Sequence, residues 1–182
     1  MANRTYNDFL KDPDQASRRA ELETFFGPNA AKFMKTYDSQ RALVPPVAGE
    51  KAKFSFKFSY VWPAFFVGPV WFFYRKMWTV GVVLTAVIIA VGFLPFGTKL
   101  GLILGLIMAA FGSLTYLTHA VKTIERLRSA SPNGVLDPRQ VAAAGGVSKI
   151  AGWIGGTIYV LVTLLAIYGM VILVRTGGAG PY

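Results

Sequence analysis

The sequence predicts an all-α integral membrane protein: three transmembrane helices preceded by an interfacial or re-entrant aromatic helix and a short helical cytoplasmic arm. Three observations predict it. Of 182 residues, 53% are hydrophobic and only 15% are charged. Residues 77–98, 100–121 and 150–174 contain no Lys, Arg, Asp or Glu over 22, 22 and 25 positions, and crossing a hydrocarbon core of ~30 Å takes ~20 apolar residues. The third is the placement of the bases. Residues 1–76 hold 12 Lys and Arg and residues 122–149 hold five, while Lys99 and Arg175 stand alone on the opposite side. By the positive-inside rule the N-terminus is cytoplasmic and the C-terminus periplasmic.

Residues 1–50 read as the arm. Good helix formers fill 16–26, and Gly27 and Pro28 stop that helix. Asn29 is placed to cap a second helix over 30–37, with Phe33, Met34 and Tyr37 as its apolar stripe. A Pro-rich linker follows at 44–49. Two such helices bury little surface alone, so they are expected to dock on the membrane surface, on the inner loop or on a partner. The first 50 residues are polar and lack an N-terminal apolar stretch, so a secretory signal is not expected and the first span is expected to insert the chain.

The segment 51–76 is aromatic and interfacial. Over 54–60 aromatic and polar residues alternate with period two, as in an extended segment lying in the wet headgroup zone. Residues 60–74 are apolar, with eight aromatics and the prolines Pro63 and Pro69. A helix of that length reaches only ~22 Å, and Arg75 and Lys76 leave no loop for a reversal. A helix lying at the interface, kinked at Gly68 and Pro69 and turning into the first span, fits better. Tyr60, Trp62, Trp71, Tyr74 and Trp78 suit the headgroup level, and Arg75 and Lys76 are expected at lipid phosphates.

The bundle occupies 77–174. Leu94, Pro95, Phe96 and Gly97 close the first span onto the second as an antiparallel hairpin. The second is expected to run on to Arg128, with Glu125 paired at i,i+3, and to end in the turn residues 131–134. Within the cytoplasmic loop 122–149, Asp137 and Pro138 open a short helix through Ala144. Gly145 and Gly146 break it, and Ser148 opens the third span. Residues 175–182 form an outer tail.

The pattern Trp62-Pro63-Ala64-Phe65-Phe66-x-Gly68-Pro69-x-Trp71-Phe72-x-Tyr74-Arg75-Lys76-Met77 resembles the signature of the bacterial domain-of-unknown-function family 2628. The upstream run from Phe26 through Phe33 is similar to the short helical motif that precedes it in that family. The resemblance covers roughly residues 20–120 and implies a small bacterial inner-membrane protein. It brings no assigned activity, cofactor or catalytic residue.

Chemistry is sparse. There is no Cys and one His, which rules out thiolate metal sites, disulfides and a bis-His haem. The spans carry no ionisable carboxylate or base of the kind proton relays and ion-coupled carriers use. His119 sits at the inner end of the second span, where capping a carbonyl or meeting a phosphate outweighs holding a cofactor. No nucleotide-binding loop or paired carboxylate appears. The expectation is a protein without cofactor and without catalytic residues.

Packing signals are stronger. Gly97, Gly101, Gly105, Ala109 and Ser113 recur every four residues, and Ser148, Gly152 and Gly156 repeat the pattern in the third span. Smooth ridges of this kind let backbones approach closely in lipid. They serve either contacts among the chain's own spans or a face for another protein. The leading expectation is an accessory or assembly subunit of a larger inner-membrane complex. Two alternatives are a homo-oligomeric pore lined by Thr157, Thr163 and Tyr168, and an organiser binding anionic lipid. Basic excess on the inner side belongs to anionic lipid, and the arm is too small and too acid-interrupted for nucleic acid.

Overall fold

The computed structural model describes residues 2–43, 60–94, 96–131 and 134–177. The linker 44–49 and all but Tyr60 of the alternating stretch 54–60 lie outside the described residues, as does the tail from 178. Among the described residues the chain is helical throughout. The arm forms α1 (Ala2–Lys11), α2 (Gln15–Phe26) and α3 (Ala30–Arg41). The aromatic segment forms α4 (Trp62–Val67) and α5 (Pro69–Tyr74). Then follow α6 (Trp78–Gly92), α7 (Gly97–Ala130), α8 (Pro138–Ala144) and α9 (Lys149–Gly177).

Local chemistry accounts for most of these boundaries. Asp14 caps α2, its Oδ1 accepting the Ser17 N–H at 3.2 Å. Gly27, at φ +62°, ends α2, and a 3-10 turn over Gly27–Asn29 leads straight into α3. Asn29 does not cap α3 through its side chain, contrary to expectation: it ends the 3-10 turn at φ −97°, ψ 12°, outside the extended backbone from which an N-cap side chain reaches N2 or N3. Asp137 caps α8 as read, accepting the Arg139 N–H at 2.9 Å. The Ser148 hydroxyl opens α9 by accepting the Ala151 N–H at 3.2 Å. The aromatic segment breaks at Gly68, φ +55°, with Pro69 starting the next helix.

The expectation of three spans is narrowed. Among the described residues one helix, Lys99–Ala130, is long and apolar enough to cross a membrane. The first expected span appears as α6, whose 15 residues rise only ~22 Å. The third lies within α9, several of whose side chains fall outside those described.

The arm supplies a core that the charge-free stretches do not reveal. Tyr116, Leu117, Ala120, Val121 and Ile124 of α7 are fully enclosed. Around them stand Phe9 and Leu10 of α1, Leu22, Phe25 and Phe26 of α2, Phe33 and Tyr37 of α3, and Val141 of α8. The last turns of the second expected span therefore face the chain's own arm rather than lipid. Each large side chain enclosed in this way contributes ~1.5–3 kcal/mol, which two short helices alone would never gather. In the other half, α4 packs on the first half of α7, while α5 packs on α6 and on the first turns of α9.

Candidate functional site

The residues with the most distinctive environment meet where the arm joins α5 and α7. Arg75 follows α5 and is 7% exposed. Its guanidinium carbon lies 4.8 Å from the Phe33 ring centroid, 5.1 Å from Tyr116, and 5.9 Å from both Trp71 and Tyr74. Among the described residues it has no ion pair, and its Nε and Nη1 atoms are buried without a hydrogen-bond partner. Cation–π contacts of ~0.5–2 kcal/mol each are what hold this charge. Arg75 was expected at lipid phosphates; with the arm docked its side chain is buried and Phe33 lies against it. Trp71, expected at the headgroups, is buried in the same cluster.

Lys76 takes φ +59°, the single non-glycine residue at positive φ among those described. The reason is the end of α5. The Met77 N–H donates to the Phe72 carbonyl and the Lys76 N–H to the Phe73 carbonyl, both at 2.9 Å. That pair of bonds is the Schellman arrangement, which puts its middle residue in the left-handed region. Lys76 Nζ donates to the Ala143 carbonyl at 2.7 Å, so this lysine ties α5 to the end of α8. Tyr60, Trp62 and Trp78 remain about half exposed or more, and Tyr74 is partly buried.

The arm is fastened at two further points. Gly145 and Gly146 receive the end of α2, with the Gly146 N–H donating to the Phe25 carbonyl at 2.8 Å. On the far side Arg128 at the end of α7 contacts Glu21 of α2 at 2.6 Å, and Arg128 also pairs with Glu125 as the sequence spacing suggested. Arg18 links Asp12 at 2.7 Å and Glu21 at 3.2 Å into the same chain of charges. Burial pushes the Glu21 carboxyl up from its ordinary range against the pull of Arg18. Hydrogen bonding from the Asp14 N–H, then from Arg18, holds Asp12 below it.

The small-residue ridges are largely used inside the chain. A Cβ on Gly105 would stand 3.1 Å from the Phe65 ring, and the Ala109 carbonyl accepts the Val61 N–H at 2.9 Å. Ala109 and Ser113 are buried. At Gly97 a Cβ would meet the Val91 carbonyl oxygen at 2.6 Å, within the α6–α7 turn. On α9 a Cβ at Gly152 would meet Tyr74 at 3.0 Å, and the Ser148 N–H donates to the Tyr74 carbonyl at 2.8 Å. Beside it, a Cβ at Gly155 would collide with Val70. Gly101 and Gly156 alone of the ridge positions face open space. The aromatic helices α4 and α5 thus occupy grooves that the sequence left open to a partner.

A direct prediction separates the two kinds of position. Gly105→Leu must displace Phe65 and should cost ~1–3 kcal/mol, the usual price of overpacking. Gly101→Leu and Gly156→Leu should stay within ~0.5 kcal/mol of the parent. Thermal unfolding of the three variants in one detergent checks the order.

His119 lies beside Phe25, ring centroids 6.3 Å apart, and no group of three or more potential metal ligands occurs among the described residues. Sequence reading missed α1, the burial of Arg75, the Gly145–Gly146 seat and the Glu21–Arg128 contact. The spacing of Tyr6, Phe9 and Leu10 was a usable signal for α1. The other three join residues distant in sequence and leave no local pattern.

A family model described as "Protein of unknown function (DUF2628)" matches residues 15–126. No curated protein matches the chain, and no solved structure does. The matched residues run from the start of α2 into the last turns of α7, so they include Phe33, Arg75 and Tyr116 and stop short of α8 and α9.

Proposed function

The chain belongs to the DUF2628 family of proteins of unknown function, and we propose that it is a non-catalytic accessory or assembly subunit of a larger bacterial inner-membrane complex. In this reading residues 77–98, 100–121 and 150–174 are its three spans, the N-terminus is cytoplasmic and the C-terminus periplasmic. The short α6 reaches the outer side with the apolar residues Phe93, Leu94 and Phe96, all exposed at the hairpin tip. Trp62 and Trp78 set the depth at the inner headgroups.

One observation carries the reading. Beyond its first turns α9 leaves Ile158, Leu161, Leu165, Ile167 and Tyr168 exposed, and α5 is the helix it packs on. An apolar helix that the chain itself leaves bare has lipid or another helix as its neighbour. Gly156 and Gly101 provide open, smooth positions on α9 and α7 for a close-packed partner.

The test is purification of the tagged chain from native membranes in mild detergent, followed by identification of what accompanies it. A fixed-ratio complex, lost in the Gly101→Leu, Gly156→Leu double variant that keeps its own stability, is the expected result. A chain that runs alone sinks the subunit reading.

A further inference from the structure

We propose that Arg75 is the recognition residue of a phosphate-oxyanion site at the inner headgroup level, and that the arm closes this site when docked. The ligand is a phosphodiester or phosphate group, from an anionic lipid headgroup or from free phosphate.

Arg75 is left electrostatically unbalanced. Nε and Nη1 of Arg75 are donors on a charged group, shielded from solvent, with no acceptor. Leaving such donors unmade costs ~1–3 kcal/mol apiece or more, and a lone buried charge costs further. Four aromatic faces offset part of this but accept no N–H in the plane of the guanidinium. The Tyr116 hydroxyl donates to the Gly146 carbonyl at 3.3 Å and its oxygen is also a partner of the guanidinium, yet Nε and Nη1 stay without an acceptor. An oxyanion supplies what is missing, since phosphate is the strong partner of a guanidinium fork.

The arm decides access. Of the four rings, Trp71 and Tyr74 belong to α5 immediately before Arg75, and Tyr116 belongs to α7. Only Phe33, the closest at 4.8 Å, comes from the arm. A phosphate reaches Nε and Nη1 when Phe33 withdraws. Docking of α3 and phosphate binding therefore compete for one cation, a reciprocal negative coupling. Lys76 beside it, exposed enough to reach a second oxygen, exchanges the Ala143 carbonyl for the ligand. This inference rests on the membrane reading above, because that reading brings lipid phosphates to this level.

Hydrogen exchange of the α3 amides tests it, with the whole chain reconstituted in phosphatidylcholine vesicles or in equal parts phosphatidylcholine and phosphatidylglycerol. Exchange of α3 should be faster in the anionic vesicles by about tenfold, a common size for coupling between sites. Arg75→Gln should abolish the difference. Phe33→Leu, which keeps Arg75, should bring the response to a lower phosphatidylglycerol content. Inorganic phosphate added to the neutral vesicles separates the sources: acceleration there identifies the free anion, and none identifies the lipid. Equal exchange in both vesicles, or an undiminished response in Arg75→Gln, overturns the proposal. Failure to float with either vesicle overturns the membrane reading too, whereas flotation with equal exchange overturns this inference alone.

Discussion

Gly145→Val should release the arm from the rest of the chain. A Cβ built on Gly145 falls 2.1 Å from the Phe25 carbonyl oxygen and 2.8 Å from its carbon. Both are backbone atoms, so no rotamer change relieves the overlap, and the end of α2 has to move. That movement breaks the 2.8 Å bond from the Gly146 N–H to the same carbonyl and pulls Phe25 out of the buried cluster. Overpacking against a fixed backbone and losing a buried aromatic together place the cost at ~3–5 kcal/mol. Alanine carries the same Cβ and should show most of the effect. Limited trypsin digestion reports it directly: Lys32 and Lys35 of α3 should be cut far faster in the variant, while α6, which contains no Lys or Arg, stays uncut. Equal digestion of parent and variant would mean that the seat for α2 does not hold the arm.

The same contact shows where sequence reading stops. Gly145 and Gly146 were legible as a helix break, because each glycine costs a helix ~1 kcal/mol and the short α8 has no long apolar run to offset it, as α9 has around Gly155 and Gly156. That the break also receives the Phe25 carbonyl, 120 residues away in the chain, has no local signature. Arg75 is the sharper case. A base after a run of aromatics before a charge-free stretch has the pattern of a headgroup anchor, and Trp78 keeps its outward placement while the half-buried Lys76 reaches the Ala143 carbonyl. Arg75 turns inward because the Schellman end of α5 swings the chain there and Phe33 arrives from the arm to meet it. The small-residue ridges were visible as periodicity, yet periodicity names a face and not its occupant. Here α4 and α5 are the occupants at Gly105 and Gly152, while Gly101 and Gly156 stay open. Capping was readable at Asp137 and Ser148, where an acceptor side chain precedes a helix start with no competing bond. It failed at Asn29, which ends a 3-10 turn and so lacks the extended backbone of an N-cap.

Tyr116→Ala should have the second large effect, because this residue joins the two halves of the molecule. Tyr116 has no exposed surface. Its ring centroid lies 4.8 Å from Phe33, 5.2 Å from Phe26, 6.0 Å from Phe25 and 6.2 Å from Trp71. Three of those rings come from the arm and one from α5, and the Arg75 guanidinium stands 5.1 Å from the ring on another side. Truncation removes a ring from a packed cluster and leaves a cavity beneath a buried charge, for ~3–5 kcal/mol. Phenylalanine is the informative control. It keeps the ring and every aromatic contact, and loses the hydroxyl, which donates to the Gly146 carbonyl at 3.3 Å and also meets Arg75. A bond of that length is worth ~0.5–1.5 kcal/mol net, so Tyr116→Phe should unfold close to the parent. Thermal unfolding followed by tryptophan fluorescence reads both, since Trp71 belongs to the cluster. A large loss in Tyr116→Phe would place the energy in the hydroxyl and its polar neighbours, and the aromatic clasp between arm and bundle would have to be given up as the main fastening.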